Sequence, residues 1–183
     1  RSLLICGDET PIIDYLFKKE FKYSVLTPYF EDNLLEKEFQ FPLKYQKEGY
    51  RKTFDWLAKN CQNLITSDLD YEISMQKMGF QTMFIPNPIN THKIAVESNE
   101  ITNKIVIFLG INRMSYIKKG INNFEKALDI IQKKYSERVE IIITENLAYS
   151  KYISQYNKAH ILLDQVFAYD QGYNALEAMA KGK

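Results

Sequence analysis

The sequence predicts an α/β fold built on parallel sheets. Short apolar runs alternate with segments of helical periodicity, and between residues 104 and 183 the order strand then helix recurs without interruption. The apolar runs are too short for helices, and the clearest, residues 104–109, is rich in β-branched and aromatic side chains. Strands that alternate with helices are typical of βαβ units, whose strands run parallel and whose crossovers are right-handed.

The composition is that of a globular chain with no nucleic-acid partner. Its 183 residues, 45% hydrophobic and 26% charged, suffice for one ordinary domain or two small ones. Lys and Arg number 24 against 23 acids, and this balance argues against a broad electrostatic footprint for nucleic acid. We interpret Cys6 and Cys61 as reduced core thiols of an intracellular protein. We find no apolar run of membrane-spanning length and no signal peptide.

Strand and helix patterns also fill the amino-terminal half. Strands are predicted at residues 2–6, 63–67 and 81–85, with helices at 14–22 and 71–78.

Two further segments connect these elements. Residues 7–10 follow the first strand and suit either a turn or a ligand loop at a strand's carboxyl end, and we favour the turn. Residues 24–43 are predicted to be irregular, with a short helical piece at 34–39.

Residues 44–60 form the most basic and aromatic stretch. Its apolar positions fall on one helical face: Tyr50, Phe54, Leu57, Ala58 and Cys61. We interpret the stretch as an amphipathic helix with a solvated lysine face. The alternative is a helix that binds a membrane surface or an acidic ligand.

The carboxyl-terminal half brings three strand ends to one edge of the predicted sheet. Strands are predicted at 104–109 and 140–144, and a third includes 161–163. Their carboxyl ends are Gly110, Glu145 and the segment 165–172; helices are predicted at 121–134, 149–157 and 175–180, the last stopped by Gly182. Ligands of such sheets bind outside the carboxyl ends of the strands, and a glycine loop that enters a helix suits a phosphate.

The run Gly172-Tyr173-Asn174-Ala175-Leu176-Glu177-Ala178-Met179-Ala180-Lys181-Gly182-Lys183 resembles the donor-site motif of the retaining, nucleotide-sugar-dependent glycosyltransferases of family 4 (group 1). The alternative is a merely helix-friendly sequence. The order of elements over 63–90 is similar to the end of the family's amino-terminal domain, although Pro88 stands where the family often has Gly.

The resemblance implies a GT-B fold, that is, two Rossmann-like, doubly wound parallel-sheet domains, each only partly present in this chain. Residues 1–90 would be the second half of the amino-terminal acceptor domain and 91–103 the linker. Residues 104–183 would be the first half of the nucleotide-sugar donor domain. We therefore expect a fragment of a longer enzyme.

The resemblance also implies the site. Residues expected to bind the donor diphosphate are Arg113, Lys119, Lys118 as its alternative, Gly110, Gly172, Tyr173 and Asn174. Glu177, expected on the first turn of its helix, would bind the ribose hydroxyls. The alternatives are a solvated basic loop and a solvated mid-helix glutamate. Tyr169 stands where many members have a second glutamate.

The acceptor-side catalytic residue stays unknown. The family's histidine matches neither His92, in the expected linker, nor His160, which we expect to be structural. No metal cofactor is expected, because Asp164 and Asp170 have no Asp-x-Asp partner and the family is usually metal-independent.

The implied function is transfer of a sugar from a nucleotide sugar to a hydroxyl of a glycan or lipid-linked acceptor, with retention, in polysaccharide or glycoconjugate synthesis. The implied location is the cytoplasm, with peripheral contact to the inner face of the membrane through residues 44–60. The alternatives are a non-catalytic nucleotide- or phosphate-binding module and a membrane-docked interaction domain.

Overall fold

The computed structural model describes residues 1–96, 99–169 and 171–183 and contains two three-stranded parallel sheets. The predicted α/β class and parallel strands are confirmed. The chain divides into two compact units. The first is Arg1–Pro88 together with residues 167–169, and the second is Ile89–Val166 together with Gln171–Lys183. Part of the expected linker lies outside the described residues. Asp170, which was expected to have no role in metal binding, also lies outside them.

The first unit has the strand order β1-β2-β3. Its strands are β1 (Ser2–Ile5), β2 (Asn63–Thr66) and β3 (Met83–Phe84). Its helices are α1 (Thr10–Phe17), α2 (Thr27–Glu31), α3 (Gln40–Leu43), α4 (Glu48–Asn60) and α5 (Leu69–Lys77), with 3₁₀ turns at Asn33–Lys37 and Lys44–Gln46.

Local sequence signals explain where the helices of the first unit begin and end. Helix α1 begins before its predicted start, with Pro11 in its first turn, where a missing N–H costs nothing. Asp68 caps α5, its Oδ1 accepting the N–H of Asp70 at 3.0 Å. Both cysteines are free, but the expectation of core thiols is wrong for Cys6, which is exposed.

Helix α4 is amphipathic, as predicted. Phe54 is buried, and Leu57 and Ala58 are half-buried. Tyr50 was assigned to the apolar face but is exposed, and Trp56 is 62% exposed. Among the described residues, no helix is both long enough and apolar enough to cross a membrane.

The second unit has the strand order β5-β4-β6. Its strands are β4 (Ile105–Ile111), β5 (Val139–Glu145) and β6 (Ile161–Leu163), and its helices are α6 (Ile121–Tyr135), α7 (Tyr149–Tyr156) and α8 (Tyr173–Ala180). Its 3₁₀ turns are Thr91–Lys93 and Arg113–Ser115. The prediction that β4 ends at Gly110 is wrong by one residue, because Gly110 pairs with Thr144 inside the ladder.

Alternate residues of β4 face two separate layers of the core. Ile107, Leu109 and Ile111 pack on one face with Ile121 and Leu128 of α6. The buried residues on the other face are Phe108 of β4, Tyr156 of α7, Ala159 in the connection from α7 to β6, and Ala178 of α8. Helices on both faces explain why this central strand is a continuous apolar run. The same layering leaves the carboxyl ends of the strands as the place for polar loops.

Candidate functional site

The basic loop after β4 is bound to the end of β6. Nζ of Lys119 donates to Oδ1 of Asp164 at 2.9 Å, and Val166 N donates to the Lys119 carbonyl at 2.9 Å. Gly120 follows with a left-handed φ of +71° and forms the N-cap of α6. Lys119 thus lies at the junction of β6 with the start of α6. Lys118 lies half-buried in the same loop.

The carboxylate of Asp164 also lies close to the N-terminus of α8. Gly172 is the N-cap of this helix, and a Cβ built on it would lie 4.0 Å from Oδ2 of Asp164. Asp164 has a side chain only 12% exposed. One half-buried carboxylate therefore lies between the ammonium of Lys119 and the first turn of α8, where helix N–H groups and the helix dipole favour negative charge.

Two tyrosines of α7 hold that first turn in place. The hydroxyl of Tyr152 donates to Oδ1 of Asn174 at 2.9 Å, and the hydroxyl of Tyr156 donates to the Asn174 carbonyl at 2.7 Å. Burial raises the pKa of both tyrosines, so their hydroxyls remain protonated donors at neutral pH. Asn174 is consequently fixed through its side chain and its backbone.

Tyr152 also covers Gly110. A Cβ on Gly110 would lie 2.9 Å from Cε2 and 3.1 Å from the hydroxyl oxygen of Tyr152. The need for glycine at this position is therefore explained by packing against the tyrosine ring. Sequence reasoning missed Tyr152 and Tyr156. Their spacing with Tyr149, at three and four residues, is the signal that could have placed them on one helical face.

Arg113 is bound at the end of β5. Its Nε and Nη2 donate to the two carboxylate oxygens of Glu145, at 2.8 and 2.6 Å, and its guanidinium lies 4.9 Å from the ring centroid of Tyr116. These hydrogen bonds hold the pKa of Glu145 below its ordinary value. Arg113 is exposed, and its carboxylate partner Glu145 differs from Asp164, the partner of Lys119. The two predicted cations thus have separate carboxylate partners.

Glu177 lies on the second turn of α8, so its expected position on the first turn is wrong. Its Oε1 lies 3.3 Å from Nζ of Lys181, one turn further along. Lys181 is buried and donates to Oδ1 of Asn157 at 2.7 Å. Tyr173, at the start of the helix, is 56% exposed. The predicted residues of this helix thus present one fixed side chain, one paired acid and one exposed ring.

Tyr169 belongs to the first unit. Its N–H donates to Oδ2 of Asp70 at 3.0 Å, its hydroxyl accepts the N–H of Tyr23 at 3.2 Å, and its ring centroid lies 5.4 Å from that of Phe21. Tyr169 therefore has its own packing role in the first unit.

Neither histidine has a contact with Lys119 or Asp164 among the contacts described. His160 is structural, as expected. Its ring Nδ1 accepts the backbone N–H of Val106 at 2.9 Å, and its backbone N–H donates to the Val106 carbonyl. His92 is exposed in the turn Thr91–Lys93. Within the described parts of the chain, no group of three or more histidine, cysteine or acidic side chains is arranged to hold a metal ion.

Fold and site together define an α/β protein with two small parallel sheets and a lysine–aspartate pair at the junction of a strand end and a helix N-terminus. Comparison with known protein families, curated proteins and solved structures gives no match.

Proposed function

We propose that the chain is part of a retaining glycosyltransferase of the GT-B type and that its second unit binds the nucleotide-sugar donor. The observation that carries the proposal is the position of the Asp164 carboxylate, which contacts Lys119 and lies beside the N-cap Gly172. A phosphate placed there would have a cation on one side and helix N–H groups on the other.

The proposed chemistry follows from the charge that develops on the leaving diphosphate. As the bond to the sugar breaks, negative charge grows on the phosphate oxygens, and fixed donors and cations stabilise it. Lys119 supplies a compact charge and Arg113 a two-pronged donor. Gly172, Tyr173 and Asn174 supply backbone N–H groups.

The remaining parts of the proposal concern the ribose, the fold and the acceptor. Glu177 gives up its ion pair with Lys181 and accepts hydrogen bonds from the ribose hydroxyls instead. Each unit is half of a Rossmann-like domain, and the acceptor is a glycan or lipid-linked hydroxyl on the cytoplasmic side of a membrane. No metal is required, because the cations of the loop take its role.

Calorimetric titration of the protein with UDP, GDP and ADP tests the donor site. We expect one of the three to bind, and we expect Glu177→Gln to weaken it about tenfold, because a charged acceptor of the ribose diol is lost. Glu137→Gln, at an exposed acid of the same unit, is the control and should bind as the unaltered chain does. If none of the three nucleotides binds, either to the unaltered chain or to a variant that neutralises the acid bound to Lys119 (Asp164→Asn), the proposed donor site is ruled out.

Tyr169 favours a non-catalytic version of the same site. Its side chain is a phenol, whose hydroxyl accepts from Tyr23, so this position does not supply the second carboxylate of the family motif. Sugar release from a panel of nucleotide sugars, measured beside nucleotide binding, separates a transferase from a binding module. Binding without release on the complete protein would favour the module.

A second candidate function is docking on an anionic membrane surface, and Trp56 is the observation that favours it. It is 62% exposed on α4, and Lys52 and Lys59 lie four residues before and three after it, on the same face. An exposed tryptophan between lysines suits the interface of an anionic bilayer.

Flotation with phosphatidylserine vesicles tests this surface. We expect the protein to float, and the variant Trp56→Ser with Lys52→Glu and Lys59→Glu to stay behind, because each lysine contributes about 1 kcal/mol near such a surface. Tyr149→Ser removes an exposed aromatic from α7 and serves as the control. Equal flotation of the triple variant and the unaltered chain would exclude α4 as the docking face.

A further inference from the structure

Both cations assigned to the diphosphate already bind a carboxylate of the same unit. Arg113 forms a two-pronged pair with Glu145, and Lys119 binds Asp164. A guanidinium binds a phosphate through the same two-pronged geometry, so a diphosphate and these carboxylates compete for the same donors.

The two pairs differ in exposure. Arg113 and Glu145 have side chains 54% and 33% exposed, so water screens this pair and it exchanges readily. Lys119 and Asp164 are 35% and 12% exposed. Asp164 is the most desolvated of the four groups, and its charge acts strongly on any anion that approaches Lys119.

The position of Asp164 makes the competition direct. Its Oδ1 binds the ammonium of Lys119 while its Oδ2 faces the N-cap of α8 at Gly172. A phosphate bound to Lys119 and the helix N-terminus would therefore meet a second negative charge at the same point. Within hydrogen-bond range, like charges in a partly desolvated site raise the free energy of the bound state.

We propose that the carboxylate of Asp164 competes with the donor diphosphate for Lys119. It binds the ammonium of Lys119 until the diphosphate arrives, and its charge limits the affinity of the site for the product nucleotide. The inference rests on the proposed donor site. Asp164 would thereby promote release of the product, which the cations alone would not do. The nucleoside diphosphate left after transfer carries more negative charge than the nucleotide sugar, so Asp164 repels the product more than the donor and favours its release.

Calorimetry on the full chain tests this with UDP, GDP and ADP as probes and with two isosteric variants. We expect Asp164→Asn to raise the association constant about fivefold at low salt, and Glu145→Gln to raise it less, because its pair is more exposed. The gain should shrink as sodium chloride is added, because salt screens the repulsion.

Matched controls remove one acid each at exposed positions of the same unit. Asp129→Asn lies on α6, and Glu140→Gln lies in β5, close to its amino end and away from Glu145. Neither should change nucleotide affinity. If Asp164→Asn does not melt cooperatively, Asp164→Ser replaces it, since it also removes the charge and keeps a polar group.

The outcomes separate this inference from the proposed function. Tighter binding by Asp164→Asn supports both, also when the unaltered chain binds too weakly to measure. Binding by the unaltered chain with equal or weaker binding by the variant overturns the competitor and leaves the donor site intact. Absence of binding by every variant overturns both.

Discussion

Phe108→Ala should lower the free energy of unfolding of the second unit by about 3–5 kcal/mol, the usual cost of deleting a buried aromatic side chain. Phe108 is fully buried on the central strand. Its ring meets those of Tyr152 and Tyr156 edge to face, with centroids 5.3 and 5.7 Å apart. The substitution therefore leaves a cavity and also removes two aromatic contacts.

The same substitution should weaken nucleotide binding, because both tyrosines hold Asn174. Without the ring between α7 and the sheet, the hydroxyls lose their fixed positions and the first turn of α8 loosens. The effect on the site is thus transmitted through packing and not through a contact with the ligand.

Urea unfolding followed at two signals measures this loss. Trp56, the single tryptophan, lies in the first unit, so its fluorescence reports that unit, while far-ultraviolet circular dichroism reports both. We expect the dichroism transition, which includes the second unit, to move to lower urea. Ile130→Ala, 55% exposed on α6, is the control and should cost under about 0.5 kcal/mol. A loss below about 1 kcal/mol for Phe108→Ala would contradict the packing argument.

Local pattern was sufficient to predict the elements of the second unit. Helix α6 was expected at 121–134 and runs from Ile121 to Tyr135, and β5 was expected at 140–144 and runs from Val139 to Glu145. These elements follow from hydrophobic periodicity within one window of sequence. The single-residue error at Gly110 arose because a glycine was taken as a stop, whereas it pairs within the strand and packs under Tyr152.

Side-chain partners far apart in the chain could not be predicted from local pattern. Lys119 and Asp164 are 45 residues apart, and their contact depends on β6 lying beside β4. The return of residues 167–169 to the first unit depends on Asp70 and Phe21, which lie about 100 and about 150 positions before Tyr169. Sequence spacing carries no information about such pairs until the order of the strands is known.

Lys119→Met should weaken nucleoside diphosphate binding by roughly 10- to 100-fold, because a hydrogen bond from a charged donor is worth about 1.5–3 kcal/mol. Lys118→Met is the matched control, one residue away in the same loop. The sequence left open which of these lysines would bind the proposed diphosphate. The structure pairs Lys119 with Asp164 beside the helix N-terminus, so we expect the larger loss there. Titration of both variants with the same nucleotide makes the comparison, and an equal loss would contradict the assignment.

The double variant Lys119→Met with Asp164→Asn distinguishes two causes of that loss. In the single variant, Asp164 keeps a desolvated charge without a partner, so repulsion alone could weaken binding. If repulsion were the whole cause, the second substitution would restore affinity at least to that of the unaltered chain. If Lys119 binds the phosphate itself, the double variant recovers thermal stability, because no unpaired, partly desolvated charge remains, but its affinity stays low. We expect the second result, because neutralising Asp164 removes a repulsion but does not supply the phosphate with the ammonium that Lys119 provided.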